Sequence, residues 1–150
     1  MGELDRSVQA YQQALEVAPD DAEIHNNLGV TLKEMGELDR SVQAYQQALE
    51  VAPDDAEIHN NLGVTLKEMG ELDRSVQAYQ QALEINPQYA EAHNNLGNVL
   101  KEMDQLDESI HAYQKALKIN PQYVEVYNNL GNVLKEMDQL DESIHAYQKA

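Results

Sequence analysis

The sequence repeats itself every 34 residues. Pro falls at 19, 53, 87 and 121, and Tyr at 11, 45, 79, 113 and 147. An Asn-Asn-Leu-Gly block begins at Asn26, Asn60, Asn94 and Asn128. Residues 1–34 and 35–68 are identical letter for letter, as are 103–116 and 137–150. A fixed period of this size marks a solenoid or array, whose units bury their apolar faces only against neighbours. Composition alone leaves folding open, because Leu, Val and Ile (17, 11 and 6 residues) sum to 34 of 150, and Phe is missing. That is close to the ~20 % below which a highly charged chain is suspected of disorder. The retained register argues for a fold.

Each period predicts two helices. The first spans roughly Ala22 to Met35 and is followed by Gly36, a residue suited to a left-handed helix stop. Asp20, three residues before Glu23, and Asp54 before Glu57 predict capping boxes. The second spans about Asp39 to Val51, and Pro53 forbids its continuation. At 100° per residue, Met35, Leu28, Leu32, Ile24, His25, Gly29 and Ala22 share a wide arc predicted to be buried. Asn26, Asn27, Lys33, Val30, Glu23 and Glu34 share the remaining, mostly polar stripe. In the second helix Val42, Tyr45, Ala48, Leu49 and Ser41 recur at spacings of three and four. The small residues Gly29, Ser41 and Ala48 predict a close approach of the two helices.

Several function classes are excluded. The 27 acidic against 10 basic residues give a net charge of −17, which disfavours nucleic acid and anionic membranes, both bound through Lys and Arg. No apolar run reaches the ~18 residues of a membrane span, and the start, Met1-Gly2-Glu3-Leu4-Asp5-Arg6, lacks the features of a secretory signal. The absence of Cys removes disulfides, thiolate nucleophiles and Cys-based metal sites. A cytoplasmic setting fits these features, and no compartment is assigned. No nucleophile elbow, phosphate loop or dinucleotide fingerprint occurs, so no enzyme and no cofactor are expected.

The unit carrying Leu28-Gly29, Leu32, Tyr45, Ala48 and Pro53 resembles the tetratricopeptide repeat, whose period and pattern are a standard example of a helical array. The resemblance covers the whole chain. It departs from the family pattern at His25, His59 and His93, with Tyr127 in the last unit, where Trp is usual, at Leu32 in place of Tyr, and at Ser41 in place of Ala. The resemblance implies an all-α, right-handed superhelical solenoid of antiparallel helix pairs. Its phasing implies full repeats 22–55, 56–89 and 90–123, a nearly complete repeat 124–150, and a half repeat 1–21 holding only a second helix. Such phasing suggests a piece of a longer array, without a polar capping helix at either end.

The family resemblance also implies a concave, peptide-binding groove. The string from Ala90 to Met103 is similar to the superhelical arm of O-linked N-acetylglucosamine transferases, without their catalytic domain. An asparagine ladder contacts peptide backbone there, and the matching positions are Asn27, Asn61, Asn95 and Asn129. Asn26, Asn60, Asn94, Asn128, Asn98 and Asn132 lie beside them, and Lys33, Lys67, Lys101 and Lys135 line the edge. An amide both donates and accepts, so it can hold the C=O and N–H of an extended peptide. Each Lys is followed by Glu34, Glu68, Glu102 or Glu136, and the cationic clamp that some family members use for a terminal carboxylate is replaced by Asn26 and Asn27 with Glu23. A neutral or basic extended peptide is the expected partner.

Other recurring residues have structural readings. His25, His59 and His93 stand one unit apart, too far to share a metal ion, and are expected to pack; His111 and His145 are expected to be exposed. Asp20-Asp21 and Asp54-Asp55 are expected to cap helices and not to hold calcium. Met35, Met69, Met103 and Met137 read as core fillers. A structural role is the second expectation. Leu4, Val8 and Tyr11 at one end, and Ile144, Tyr147 and Ala150 at the other, could dock head to tail and leave an open assembly. The identical units indicate recent duplication or an engineered repeat scaffold, and a scaffold need have no natural ligand.

Overall fold

A computed structural model describes residues 2–149 of the chain, and the side chains of residues 2–141. Eight helices follow one another: α1 (Glu3–Val17), α2 (Ala22–Glu34), α3 (Leu38–Val51), α4 (Ala56–Glu68), α5 (Leu72–Ile85), α6 (Ala90–Glu102), α7 (Leu106–Ile119) and α8 (Val124–Lys149). No strand occurs among the described residues. The chain divides into two compact units, Met1–Pro87 and Gln88–Ala150. In the first, α1 packs on α2, α2 on α3, α3 on α4 and α4 on α5. In the second, α6 packs on α7 and α7 on α8. Alternate helices also touch, α2 with α4 and α6 with α8. Each unit is thus a stack of helix pairs, as the period predicts.

The turns inside the pairs are closed as expected. Gly36 and Gly70 adopt φ of 78° and 77°. The N–H of Gly36 donates to the Lys33 carbonyl and that of Glu37 to the Leu32 carbonyl, at 2.8 and 2.9 Å, which satisfies the last carbonyls of α2. In the third pair Asp104 takes the same position at φ 60°, with the same two bonds, to Lys101 and Leu100. At the helix starts the structure corrects the capping prediction. The caps are Asp21 and Asp55, one residue later than expected: the Asp21 carboxylate accepts from the Ile24 N–H at 3.1 Å, and Asp55 from those of Glu57 and Ile58. The side chain must sit at the residue just before the first helical one to reach those donors.

Packing within a pair rests on the small residues. The ring of Tyr45 lies against Gly29, Tyr79 against Gly63 and Tyr113 against Gly97, so closely that a Cβ on any of these glycines would sit 2.6–2.7 Å from a ring carbon. Ser41, Ser75 and Ser109 each donate through Oγ to the glycine carbonyl opposite, at 2.7 Å. The three tyrosines are wholly buried. Apolar clusters complete the stacks: Val8, Leu28, Leu32 and Ala44 from α1, α2 and α3, Val42, Leu66 and Ala78 from α3, α4 and α5, and Leu106, Tyr113, Ala116, Val126 and Val133 in the second unit.

The fourth pair is different. Residues 137–150 repeat 103–116 exactly as a string, yet α8 runs unbroken through 137–139, where the earlier pairs turn. A hairpin within 124–150 is therefore replaced, through residue 149, by one 26-residue helix.

Candidate peptide-binding surface

The asparagines come from the first helix of each pair, where they sit on the arc between the face packed on the partner helix and open solvent. The structure separates them into an inner and an outer column. Asn26, Asn60 and Asn94, predicted on the polar stripe, are buried, the latter two at 1 % and 2 % exposure. Asn27, Asn61, Asn95 and Asn129 are half-buried, while Asn128 and Asn132 in α8 are exposed. For Asn26 and Asn94 the reason is the stacking of α4 on α2 and of α8 on α6, which covers a second flank of α2 and α6 that hydrophobic periodicity does not reveal.

Inner and outer columns are hydrogen-bonded across repeats. In the first unit Asn61 Nδ2 donates to Asn26 Oδ1 at 3.2 Å. In the second, Asn129 Nδ2 donates to Asn94 Oδ1 at 3.1 Å, and also to Asn98 Oδ1 at 3.2 Å. Asn94 Nδ2 in turn donates to Glu125 Oε1 at 3.3 Å, and the Tyr113 hydroxyl to Asn98 Oδ1 at 2.6 Å. The inner amides thus fix the plane and orientation of the outer ones. The bond from Asn61 uses one of its two amide hydrogens, and its carbonyl oxygen is a further acceptor. Sequence reasoning did not find the Tyr113–Asn98–Asn129–Asn94–Glu125 network. Its one legible signal is that a buried tyrosine hydroxyl needs a partner.

The first unit meets that need with other residues. Tyr45 lies beside the Ser41 and Thr65 hydroxyls, and burial pushes its phenol up from 10.0 to about 12, against the opposing effect of those two groups. Burial likewise raises Tyr113 and Tyr123, with the Glu125 carboxylate adding to it in both. Thr31 and Thr65 are buried and return their hydroxyls to the Asn27 and Asn61 carbonyls, at 3.0 and 3.2 Å.

Two of the edge lysines pair across repeats. Lys33 Nζ lies 3.6 Å from Glu68, and Lys101 Nζ 4.0 Å from Glu136. Lys33, Lys67 and Lys101 are half-buried and Lys135 is exposed. Ahead of the asparagines, Glu23 and Glu57 in the first unit and Glu91 and Glu125 in the second are exposed, so in each unit the surroundings of the neutral amides are acidic. His25 and His59 bond through Nε2 to the carbonyls of Pro19 and Pro53, at 2.8 and 2.9 Å. Tyr127 does the same through its hydroxyl, to Pro121 at 3.1 Å. These residues pin the start of each helix to the preceding turn. Among the described residues no group of His, Asp or Glu is placed to hold a metal ion, and no helix is long and apolar enough to cross a membrane. The predicted contacts of Ile144, His145, Tyr147 and Ala150 lie outside the described residues.

A family model described as TPR repeat matches residues 1–36, 31–70, 65–104 and 97–138. The chain is a tetratricopeptide-repeat protein. Solved structures carry the same fold. One of MamA superposes with a TM-score of 0.86 at 26 % identity, over 99 % of this chain and 86 % of that one. A MamA RS-1 double mutant gives 0.84 at 20 %, over 99 % and 83 %. The first TPR of Spaghetti (RPAP3), bound to the HSP90 peptide SRMEEVD, gives 0.76 at 17 %, over 78 % of this chain and 93 % of that one. No curated protein sequence matches significantly. Tetratricopeptide repeats are scaffolds for protein–protein interaction, and modules of this kind are ordinarily non-catalytic. This repeat protein has the fold of such a module.

Proposed function

We propose that this tetratricopeptide-repeat protein captures extended, neutral or basic peptide segments through its outer asparagines, Asn27 and Asn61 in the first unit and Asn95 and Asn129 in the second. The observation that carries this reading is the inter-repeat bond from Asn61 to Asn26, matched by that from Asn129 to Asn94. Each holds an outer amide in a fixed orientation at a half-buried position, so ordering its side chain on binding costs little further entropy. Such a carboxamide offers a donor or acceptor to peptide backbone, which gives affinity with modest sequence selectivity. Partner charge follows from the surroundings. Lys33 and Lys101 are matched by glutamates, while the exposed Glu23, Glu57, Glu91 and Glu125 and the net charge of −17 repel an acidic segment. The acidic peptide SRMEEVD of the RPAP3 structure is therefore a poor match for this chain.

The test compares the parent with Asn27→Ala/Asn61→Ala/Asn95→Ala/Asn129→Ala in a peptide-display screen, followed by titration of retained peptides. With ~1 kcal/mol for each lost hydrogen bond, affinity is expected to fall at least about tenfold while circular dichroism still reports helix. Equal binding by both proteins would sink the reading. So would a parent that prefers acidic over basic peptides.

A further inference from the structure

Each complete pair shows what the second helix does for the first. α3 covers Gly29 with Tyr45, and reduces Leu32 to 2 % exposure together with α1. On α8 the corresponding face is open among the described residues. Gly131 is exposed, no described atom lies within 4 Å of a would-be Cβ, and Leu134 is 46 % exposed. At the other end, α1 presents the complementary face. Residues 3–17 are identical in sequence to 37–51, which include α3. α1 packs on α2 through Val8, Tyr11 and Leu15. Yet Ser7, Tyr11 and Ala14 are only half-buried and Ala10 is exposed, whereas Ser41, Ala44, Tyr45 and Ala48 are all buried.

We propose that α1 of a second copy of this chain docks on the first half of α8 as its missing second helix, so that copies add head to tail in repeat register. The contact has its template inside the chain. Ser7 of the incoming copy donates to the Gly131 carbonyl as Ser41 does to Gly29. Its Tyr11 ring covers Gly131 as Tyr45 covers Gly29, and its Ala10 closes over Leu134 as Ala44 does over Leu32. The register continues beyond the contact: Asn27 of the incoming copy reaches the exposed Asn128 as Asn61 reaches Asn26. The two surfaces differ, so the contact is heterologous and does not close on itself. The C-terminal surface of this proposal is built by Gly131 and Leu134. Every copy carries a charge of −17, so added salt, by screening the repulsion, strengthens the assembly.

Sedimentation velocity from micromolar to millimolar protein tests this with two variants on opposite surfaces. Gly131→Ala puts a methyl where the docked tyrosine ring must lie. Ser7→Arg fills the close approach from the other side, at a residue outside the α1–α2 core. Circular dichroism checks that both remain helical. The parent is expected to grow past dimer with concentration and with salt, and each variant alone to stay monomeric. An equimolar mixture of the two is expected to stop at a one-to-one dimer, because one variant keeps an intact α1 and the other an intact α8. A parent that stays monomeric to millimolar concentration overturns the proposal. So does assembly that survives Ser7→Arg and stops at dimer, which would show reciprocal exchange of α8 between copies. Either result leaves the outer asparagines and their peptide reading untouched.

Discussion

Alanine introduced at two equivalent glycines should change stability in opposite directions. Gly63 and Gly131 occupy the same place in the repeat, two repeats apart, and both lie inside helices. In Gly63→Ala the new Cβ falls 2.7, 2.9 and 2.9 Å from three carbons of the Tyr79 ring, against ~3.5–4.0 Å for an ordinary carbon contact. The ring is buried and the Ser75–Gly63 bond of 2.7 Å sets the helix separation, so relief requires the helices to part. Overpacking of this kind costs ~1–3 kcal/mol. Weakening the buried serine bond costs ~1 kcal/mol more, and the better helix propensity of Ala returns ~1 kcal/mol. The net loss is ~1–3 kcal/mol. In Gly131→Ala no described atom lies within 4 Å, and only the propensity gain of ~1 kcal/mol remains. Urea unfolding followed by circular dichroism, at protein concentrations below any self-association, should show midpoints displaced to either side of the parent. In a Tyr79→Ala background the Gly63→Ala penalty should vanish, because the clashing partner is gone. A Gly63→Ala protein at least as stable as the parent, or a penalty that persists without the Tyr79 ring, would refute the packing argument.

Two further outcomes are expected. Tyr45 is raised from 10.0 to about 12 by burial, so the unfolded chain loses this proton at lower pH than the folded one. Its stabilising contribution is whole below pH 10.0 and lost as pH climbs through about 12, at up to ~1.4 kcal/mol per pH unit for a single group. Urea midpoints measured across that range should fall more gently in Tyr45→Phe, and parallel curves would discredit the assignment. Asp104 holds a left-handed conformation at φ 60° where Gly36 and Gly70 stand in the earlier turns. Asp104→Gly should therefore stabilise the chain by ~1 kcal/mol, read as a raised midpoint; a lowered midpoint would mean that the Asp side chain contributes to the turn.

Much of the fold was legible because its signals are local. Gly36 and Pro53 limit the helices through φ and a missing N–H, and the 34-residue period reports that every unit meets like neighbours. The small residues Gly29, Ser41 and Ala48 announced the close helix contact that Tyr45 fills. The candidate site was only half legible. The outer positions followed from the family resemblance, while the burial of Asn26, Asn60 and Asn94 did not. A helical wheel resolves one apolar face, and a polar side chain that contacts the next repeat leaves no hydrophobic mark. The pairing of Lys33 with Glu68, and not with Glu34, depends likewise on which helix stacks alongside.

The string shared by 103–116 and 137–150 separates the two levels most sharply. By itself it determines good helix on either side of a short, polar breakpoint. It does not determine whether the breakpoint bends. At Asp104 the left-handed residue costs ~1–2 kcal/mol, offset because α7 then packs between α6 and α8, with Ser109 bonded to Gly97 and Tyr113 seated over it. At Asp138 the same residues remain helical, and α8 runs on through Lys149. A local preference worth about as much as one contact decides nothing until the neighbours that supply the other contacts are in place.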